Sequence, residues 1–578
     1  MGPNRRRFPL RALSTACAVA AVALTFPGGA GAAAAPRSGG PPGSETTATP
    51  APAAAPWQTA WTSPMDFYGG TADQATARDI APVAIGGTTI KLRLSNGWSG
   101  TPTTFGAVTV GLQQSGASIV PGSAVPVTFD GGKGSVTVPA MQDVTSDPVP
   151  LAVHAGESLA VSLWVPDPTT VSVHYCCDGH PDSYATPNGA GDHTADPAGT
   201  SFSVPETVNM RWLSAVEVSG TPAVGTVVAF GDSITEGYKD GAAGWPTFLQ
   251  QRIGLLPPTS QVSVVNEGIS GNTLTVFPSS PPNLTYASTS GGSPGVTRLS
   301  SDALSLPGAR NVVLFIGTND IWFGGRLSGG IPYGNAAPII SAMQSVIAQV
   351  HAAGMKIFGV TFLPRTTTPP GPKQEVWTPA DQANLVQVNA WIQSDTSGFD
   401  GTVDLAAVVA DVYNGQCDPS NLFGPYNSGD NLHPSVEGQM AMADAIPTTL
   451  FQIPEAPQLP PPVTATPTQG CAGAVAAERA LTAARASTLP TTAPPASTSP
   501  RRDRPSRPAA TIRDRGPSTV VKGLIGAGVV VIGMSALLVR RRRIVRRRRL
   551  RRPVSINHIP VHRSRALQKE GPVDNLGR

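Results

Sequence analysis

The sequence predicts two folded domains of different class: an all-β sandwich or jelly roll, followed by a three-layer α/β domain with a parallel sheet. Short alternating apolar runs, separated by turn residues, indicate the β domain between residues 57 and 219. From about residue 222, apolar strands alternate with helical segments, which indicates the second domain. Because 578 residues are too many for one domain, two folded units and further non-globular parts are expected.

The amino terminus has the pattern of an export signal. Arg5, Arg6 and Arg7 precede an apolar run at 16–26, and small residues follow as far as residue 35. This pattern predicts a signal peptide over 1–35 and a flexible linker over 36–56. The arginines loosely resemble a twin-arginine signal, so Sec and Tat export both stay open.

Four cysteines remain after removal of the predicted signal peptide: Cys176, Cys177, Cys417 and Cys471. An even number in an exported chain permits two disulfides, in three connectivities. A metal site would be the alternative for His174, Cys176, Cys177 and His180, but their spacing matches no regular zinc pattern. Disulfide chemistry and no metal are therefore expected.

Six runs are predicted as strands of the β domain, at 88–94, 107–112, 135–138, 158–164, 171–175 and 208–213. Trp57, Trp61 and Trp164 are interpreted as core residues rather than as a sugar-stacking platform.

The α/β domain is predicted over 222–453. Its strands are expected at 224–230, 262–265, 312–316, 356–362 and 402–405, with helices such as 337–353 and 379–394 between them. Five strands joined by helical crossovers predict a parallel sheet covered by helices.

The carboxyl-terminal part is predicted to hold a stalk, a membrane span and a tail. Residues 454–518 are rich in Pro, Ala, Thr and Ser, as in flexible stalks. The uncharged apolar stretch 523–539 would reach about 26 Å as a helix, which predicts a transmembrane helix over 519–539. Ten arginines follow within 540–552, so the tail 540–578 is expected in the cytoplasm. Without those ten charges the formal +4 of the chain becomes −6, and nucleic-acid binding is not expected.

Three separated segments suggest nucleophilic chemistry. Ser233 follows an apolar strand in a turn of small residues, where a doubly wound sheet carries its functional groups. Asn319 offers an amide, and Asp430 and His433 offer a carboxylate and a base three residues apart. Singly these residues could be a helix cap, a loop amide and turn residues, but their coincidence on one α/β frame favours a hydrolase site.

The chain resembles the SGNH hydrolases, also called the GDSL esterase/lipase family, over residues 223–450. Four blocks stand in the family's order: Gly-Asp-Ser-Ile-Thr at 231–235, Asn-Glu-Gly-Ile-Ser-Gly-Asn at 266–272, Gly-Thr-Asn-Asp at 317–320 and Asp-Asn-Leu-His-Pro at 430–434. The resemblance implies a flavodoxin-like SGNH fold and a serine esterase that needs no metal or cofactor.

Carried over to these positions, the resemblance implies that Ser233 is the nucleophile, His433 the base and Asp430 its partner. It implies an oxyanion hole formed by the backbone N–H groups of Ser233 and Gly271 and the side chain of Asn319. Acetylated carbohydrates, lipids and small acyl esters are all open as substrates. An O-acyltransferase with the same triad and a non-catalytic surface-binding protein are the alternatives.

Four further residues near these blocks are given structural roles. Asp232 and Asp320 are expected to brace loops, and Arg298 and Asp302 to form an ion pair at helical spacing. Pro434 is expected to be the first residue of a helix that runs through Ala445.

Overall fold

The computed structural model describes residues 56–460, except 176–182, 203, 207–208, 238–242, 276–290, 325–334, 366–376 and 413–417. The described residues belong to one compact unit. The predicted signal peptide, the membrane span, the basic tail and all the cysteines lie outside them, as do nearly all of the linker and most of the stalk. Within the described part of the chain, no helix has the length and apolarity needed to cross a bilayer.

The described part of the β domain contains sixteen strands that pair in antiparallel fashion. They are β1 (Gln58–Thr62), β2 (Phe67–Ala72), β3 (Ala75–Pro82), β4 (Thr89–Ser95), β5 (Thr103–Phe105), β6 (Ala107–Ser115), β7 (Ser118–Ile119), β8 (Val125–Pro126), β9 (Val136–Val138), β10 (Asp143–Thr145), β11 (Ser158–Val165), β12 (Thr169–Tyr175), β13 (Ser183–Ala185), β14 (Val204–Glu206), β15 (Asn209–Arg211) and β16 (Leu213–Ser219).

Two larger sheets, a smaller one and the separate pair of β5 and β9 organise these strands. One sheet has the order β1-β16-β4-β10, the second β14-β13-β3-β11-β6-β7 with β8 beside β6, and the third β15-β12-β2. Strand β4 shows why one face is apolar: Ile90, Leu92 and Leu94 are buried and alternate with half-exposed neighbours. Side chains from both larger sheets share one core, a layered packing typical of a sandwich, while jelly-roll connectivity stays a prediction.

The α/β domain has the predicted parallel sheet. Its strands are β17 (Thr226–Gly231), β18 (Ser263–Gly268), β19 (Ala309–Phe315), β20 (Lys356–Val360) and β21 (Gly401–Val403), in the order β18-β17-β19-β20-β21. All the pairings are parallel, and the order is that of the flavodoxin-like doubly wound fold. The reversal of strand order at β17 creates the edge where such folds bind ligands.

Eight α-helices accompany the described part of this sheet: α1 (Ser233–Glu236), α2 (Trp245–Ile253), α3 (Gly295–Leu299), α4 (Thr318–Gly324), α5 (Ala336–Ala352), α6 (Pro379–Ile392), α7 (Leu405–Val409) and α8 (Val436–Ala445). A π-helical turn at Ser300–Leu304, 3₁₀ turns at Pro258–Ser260, Gly424–Tyr426 and Thr448–Phe451, and a hairpin of β22 (Ala410–Asp411) and β23 (Asp418–Leu422) complete the domain. Helices α1, α2, α7 and α8 contact one another, and α3 to α6 form a second group. The two groups give the helical layers of a three-layer domain.

Several predicted elements differ from the structure at their ends or in their continuity. Helix α8 begins at Val436 and not at Pro434, because the Ser435 hydroxyl caps it by accepting the N–H of Gly438 at 3.2 Å. The run at 208–213 is not one strand, because Trp212 adopts a left-handed φ of +58° between β15 and β16. Of the three tryptophans expected in the core, Trp61 is buried, whereas Trp57 and Trp164 are half-buried.

The first strand of the β domain packs along the parallel sheet. The Thr62 hydroxyl donates to the carbonyl of Asn266 in β18 at 3.0 Å. The backbone N–H of Thr59 donates to Pro307 O at 2.8 Å, and the Thr226 hydroxyl donates to Thr59 O at 3.2 Å. The β domain and the α/β domain are therefore joined by direct hydrogen bonds through β1.

Candidate active site

The turn after β17 presents Ser233 at the carboxyl edge of the sheet. A side chain at Gly231 would collide with Thr235, so only glycine permits the chain to turn this closely. The Asp232 carboxylate caps α1 by accepting the N–H of Ile234 at 3.0 Å. Gly237 ends the helix in a left-handed conformation and donates to Ser233 O at 3.1 Å.

Asp430 organises the turn that carries the histidine. Its Oδ1 accepts the backbone N–H groups of Leu432 at 3.0 Å and of His433 at 2.8 Å. Asn431 accommodates the tight turn with a φ of +58°, a conformation that asparagine tolerates. The second carboxylate oxygen, Oδ2, lies 2.7 Å from His433 Nδ1. The carboxylate therefore fixes both the backbone and the ring of His433.

The structure brings Ser233, His433 and Asp430 together in one hydrogen-bonded chain. Ser233 Oγ lies 3.0 Å from His433 Nε2, although the two residues are 200 positions apart. A proton on Nδ1, donated to Asp430, leaves Nε2 as an acceptor for the serine hydroxyl. Ser233 is 6% exposed and His433 is 7% exposed, so the chain is largely shielded from water. This is the geometry that activates a serine hydroxyl as a nucleophile.

The two other predicted donors lie on neighbouring segments. Gly271 has a left-handed φ of +73°, which accounts for the glycine there. Asn319 is the second residue of α4, is buried, and donates from Nδ2 to the carbonyl of Asn272 at 3.0 Å. The Asn319 amide is thus tied to the residue that follows Gly271.

Arg298 and Asn272 hold these segments against β17, a role that was not predicted for either residue. Arg298 donates from Nη2 to Gly231 O at 2.9 Å and to Glu267 O at 3.0 Å, and from Nε to Asn272 Oδ1 at 3.0 Å. Its predicted ion pair with Asp302 is present at 3.3 Å. Asn272 is the last residue of the block at 266–272. Its place in that block is the sequence signal that could have indicated a role at the site.

Two buried carboxylates brace the loops beside Ser233, as expected. Asp320 accepts the N–H of Leu274 at 2.7 Å and the hydroxyl of Thr275 at 2.6 Å. Burial raises the pKa of Asp320 to about 6, although these hydrogen bonds oppose the rise. Burial likewise raises the pKa of Asp232 to about 7, against the N–H of Ile234 and the positive charge of Arg365.

His174, considered above as a metal ligand, lies instead among carboxylates. It is fully buried between Asp66 and Glu236, and Glu236 is the last residue of α1. Among the residues that the structure describes, no group of three or more His, Cys, Asp or Glu side chains could hold a metal ion. Cys176, Cys177 and His180 lie outside that part of the chain. Sequence reasoning did not pair His174 with Glu236, because the two residues come from different domains.

Comparison with known proteins identifies a protein family that part of the chain matches. The sequence profile of the GDSL-like lipase/acylhydrolase family matches residues 229–441. No curated protein sequence matches the chain.

Several solved structures are similar to part of the chain. A protein described as lipolytic and of the G-D-S-L family, from Desulfitobacterium hafniense DCB-2, is 21% identical, with a TM-score of 0.26 over 38% of this chain and 96% of that chain. A variant of an acetyl xylan esterase from Geobacillus stearothermophilus is 18% identical, with a TM-score of 0.29 over 41% and 98%. A GDSL-like lipase from Bacteroides thetaiotaomicron VPI-5482 is 20% identical, with a TM-score of 0.28 over 39% and 88%.

The matched segment begins in β17, two residues before Gly231, and ends in α8, so it contains every residue of the hydrogen-bonded chain described above. Residues 229–441 are thus a domain of the GDSL-like lipase/acylhydrolase family, the SGNH hydrolases, and the chain that carries it is a carboxylic ester hydrolase.

Proposed function

We propose that the chain hydrolyses esters through an acyl-enzyme intermediate in which Ser233 carries the acyl group. The observation behind this proposal is the chain from Ser233 Oγ to His433 Nε2 at 3.0 Å and from His433 Nδ1 to Asp430 at 2.7 Å. A serine hydroxyl is a weak nucleophile at neutral pH and needs a base within this distance.

In the first half of the reaction, Ser233 Oγ attacks the ester carbonyl while His433 Nε2 takes its proton. The tetrahedral intermediate then expels the alcohol, which leaves with that proton. In the second half, water attacks the acyl-enzyme and gives a proton to His433. The carboxylic acid departs and Ser233 regains its hydrogen. Asp430 holds the imidazole in the required tautomer and stabilises it when it is charged.

The negative oxygen of each tetrahedral intermediate needs fixed donors. The backbone N–H groups of Ser233 and Gly271 and the amide of Asn319 are proposed for this role. In support, Asn319 donates one amide hydrogen to Asn272 O, and this hydrogen bond orients the other hydrogen of the same NH₂ group. Such donors lower the barrier because they need no reorganisation during the reaction.

Ser233→Ala tests the proposal. The variant is expected to fold like the wild type and to lose turnover of chromogenic acyl esters. A fluorophosphonate should label Ser233 of the wild type, as read by peptide mass spectrometry, and should leave Ser233→Ala unlabelled. A folded Ser233→Ala protein that keeps most of the wild-type turnover contradicts the assignment.

The substrates proposed are acetylated carbohydrates, lipids or small acyl esters. A β domain followed by an SGNH domain resembles exported bacterial esterases, some of which act on acetylated polysaccharides. A panel of acyl esters and acetylated glycans should rank the three classes. Product analysis with added acceptor alcohols separates hydrolysis from acyl transfer, since a transferase would pass the acyl group to the added alcohol.

We further propose that both folded domains lie outside the cell on a stalk anchored by residues 519–539. The basic run at 5–7, the apolar segments 16–26 and 523–539 and the ten arginines that follow support this topology. Cleavage near Pro460 should then release a soluble, active esterase. The test is treatment of intact cells with an external protease. If the protease degrades the arginine tail and spares the esterase, the chain has the opposite orientation and the proposal is wrong.

A further inference from the structure

A buried cluster of three ionisable side chains joins the β domain to the helix that carries Ser233. His174 in β12 lies with Nε2 at 3.1 Å from Glu236 Oε1 and with Nδ1 at 3.5 Å from Asp66 Oδ2. The side chains of His174 and Glu236 are completely buried, and that of Asp66 is 2% exposed. Asp66 and His174 belong to the β domain, and Glu236 comes from the SGNH domain.

One imidazole lies between two carboxylates in this cluster. Burial alone would lower the pKa of His174, but the carboxylates of Asp66 and Glu236 outweigh that effect and raise it to about 10. The imidazolium therefore offsets part of the negative charge of the two buried carboxylates. Asp66 is also tied to β12 through its backbone N–H, which donates to Val173 O at 2.9 Å. The β domain thus presents a preassembled Asp66–His174 pair whose imidazolium faces Glu236.

Glu236 is three residues after Ser233 in the chain, and hydrogen bonds to its backbone also fix its position. Helix α1 is a single turn, and one turn of helix is not stable without tertiary contacts. The N–H of Glu236 donates to Asp232 O at 2.9 Å, and Asn266 Nδ2 donates to Glu236 O at 3.2 Å. Gly268 lies so close to the Glu236 backbone that a side chain there would collide with it. The carboxylate of Glu236 reaches across to His174 of the β domain.

We propose that His174 is a positioning residue for ester hydrolysis: from the β domain it holds Glu236, and through Glu236 it fixes the one-turn helix that places Ser233 against His433. This inference rests on the proposed role of Ser233. It makes the β domain a part of the catalytic unit, because a structural change at β12 would move the nucleophile.

The expected effect is on turnover and not on binding. A displacement of Ser233 Oγ by a fraction of an ångström lengthens its hydrogen bond to His433, and misplacement of about 1 Å can cost about 100-fold in rate. His174→Gln is therefore expected to lower kcat by roughly 10- to 100-fold with KM nearly unchanged. Glu236→Gln is expected to do the same, since it removes the charge and keeps an acceptor atom for His174.

The test compares His174→Gln, Glu236→Gln, the double variant and the matched control His154→Gln. His154 also belongs to the β domain and pairs with a glutamate, Glu157 at 3.2 Å, but its side chain is 84% exposed. The readouts are kcat and KM for a short-chain acyl ester, the rate of fluorophosphonate labelling of Ser233 and the melting temperature, all measured well below each variant's melting transition.

The proposal requires that the double variant be no slower than the slower single variant. Both substitutions break the same contact between His174 and Glu236, so their effects should not multiply. The labelling rate should fall in parallel with kcat, and His154→Gln should match the wild type. A folded His174→Gln with a wild-type kcat and only a lower melting temperature overturns the inference and leaves a purely structural ion cluster. Multiplicative losses in the double variant also overturn it.

Failure of the proposed function gives a different result. A wild-type protein that neither hydrolyses esters nor reacts with fluorophosphonate overturns that function and this inference together. Where His174→Gln does not fold, Glu236→Gln alone decides, through the same comparison of kcat and labelling rate with His154→Gln.

Discussion

Arg298 donates a 2.9 Å hydrogen bond to the carbonyl oxygen of Gly231, two residues before Ser233. The same guanidinium group reaches Glu267 O at the end of β18 and Asn272 in the next loop, and it stacks over the ring of Phe230 at 4.0 Å. One side chain therefore clamps the carboxyl ends of β17 and β18, which carry the predicted nucleophile and one predicted oxyanion donor.

Replacement of this clamp should be costly. Arg298→Ala leaves buried acceptors on three residues without their donor, so we expect a loss of about 3–5 kcal/mol in the free energy of unfolding. Asp302→Ala is the control, because it removes the partly exposed ion pair and an exposed hydrogen bond from Ser301 and leaves the clamp in place. It should cost no more than about 1 kcal/mol. Denaturant unfolding followed by tryptophan fluorescence measures both. Equal losses in the two variants would show that the ion pair, and not the clamp, stabilises the loops.

Asn319→Ala should lower kcat by about 10²–10³ with little change in KM, because an oxyanion donor acts mainly in the transition state. Thr318→Ser, at the preceding position of α4, is a matched control that keeps every polar group. Steady-state kinetics with one activated acyl ester separates the two parameters. An effect confined to KM would make Asn319 a substrate-binding residue.

Asp430→Asn should reduce kcat on the order of 10³- to 10⁴-fold, because the amide can present its NH₂ to His433 Nδ1 and favour the wrong tautomer. The turn should survive, since the remaining oxygen can still accept the N–H groups of Leu432 and His433 at the Oδ1 position. Circular dichroism checks the fold, and Glu437→Gln in the first turn of α8 controls for loss of a nearby negative charge. A rate close to wild type would assign the partner role to another carboxylate.

The raised pKa of Asp232 should make the free energy of unfolding depend on pH. Its pKa of about 7 in the folded protein exceeds the ordinary value of 3.8, so the unfolded chain loses this proton more readily than the folded one. Ionised Asp232 therefore destabilises the fold increasingly from about pH 4 to pH 7, and constantly above that range.

Asp232→Asn removes this charge and keeps a capping oxygen for Ile234. Its melting temperature should exceed that of the wild type at about pH 8, and the difference should shrink towards about pH 4. Asp130→Asn, at an exposed surface position, should show no such trend. A difference between Asp232→Asn and wild type that does not change with pH would place the ionisable group elsewhere.

The sequence predicted the parts of the fold that depend on local pattern. The five parallel strands and the long helices α5 and α6 follow from apolar periodicity and lie within a few residues of their predicted ends. Ser233, His433 and Asp430 were predicted from short sequence blocks, because the local turn that presents each side chain is visible in the sequence. Their hydrogen-bonded arrangement required the fold, since Ser233 and His433 are 200 residues apart.

Buried polar residues caused the main failures. Strand β3 was not predicted, because Arg78 and Asp79 interrupt its apolar character although both are fully buried. Asp79 is satisfied by Ser183, 104 residues away, whose hydroxyl donates at 2.6 Å. Long-range partners of this kind leave no periodic signal, and the same holds for His174 and Glu236.

The contact between β1 and β18 has a consequence for any shortened form of the protein. Strand β18 is an edge strand of the parallel sheet, and side chains satisfy its outward backbone: Gln250 accepts the N–H of Val264 at 2.7 Å, and Thr62 donates to Asn266 O. A protein trimmed to the SGNH domain would lose Thr62 and the cover that β1 provides, exposing an apolar strand edge to other molecules. Open edges of this kind recruit further strands, so the trimmed domain should self-associate and precipitate where the longer chain stays monodisperse.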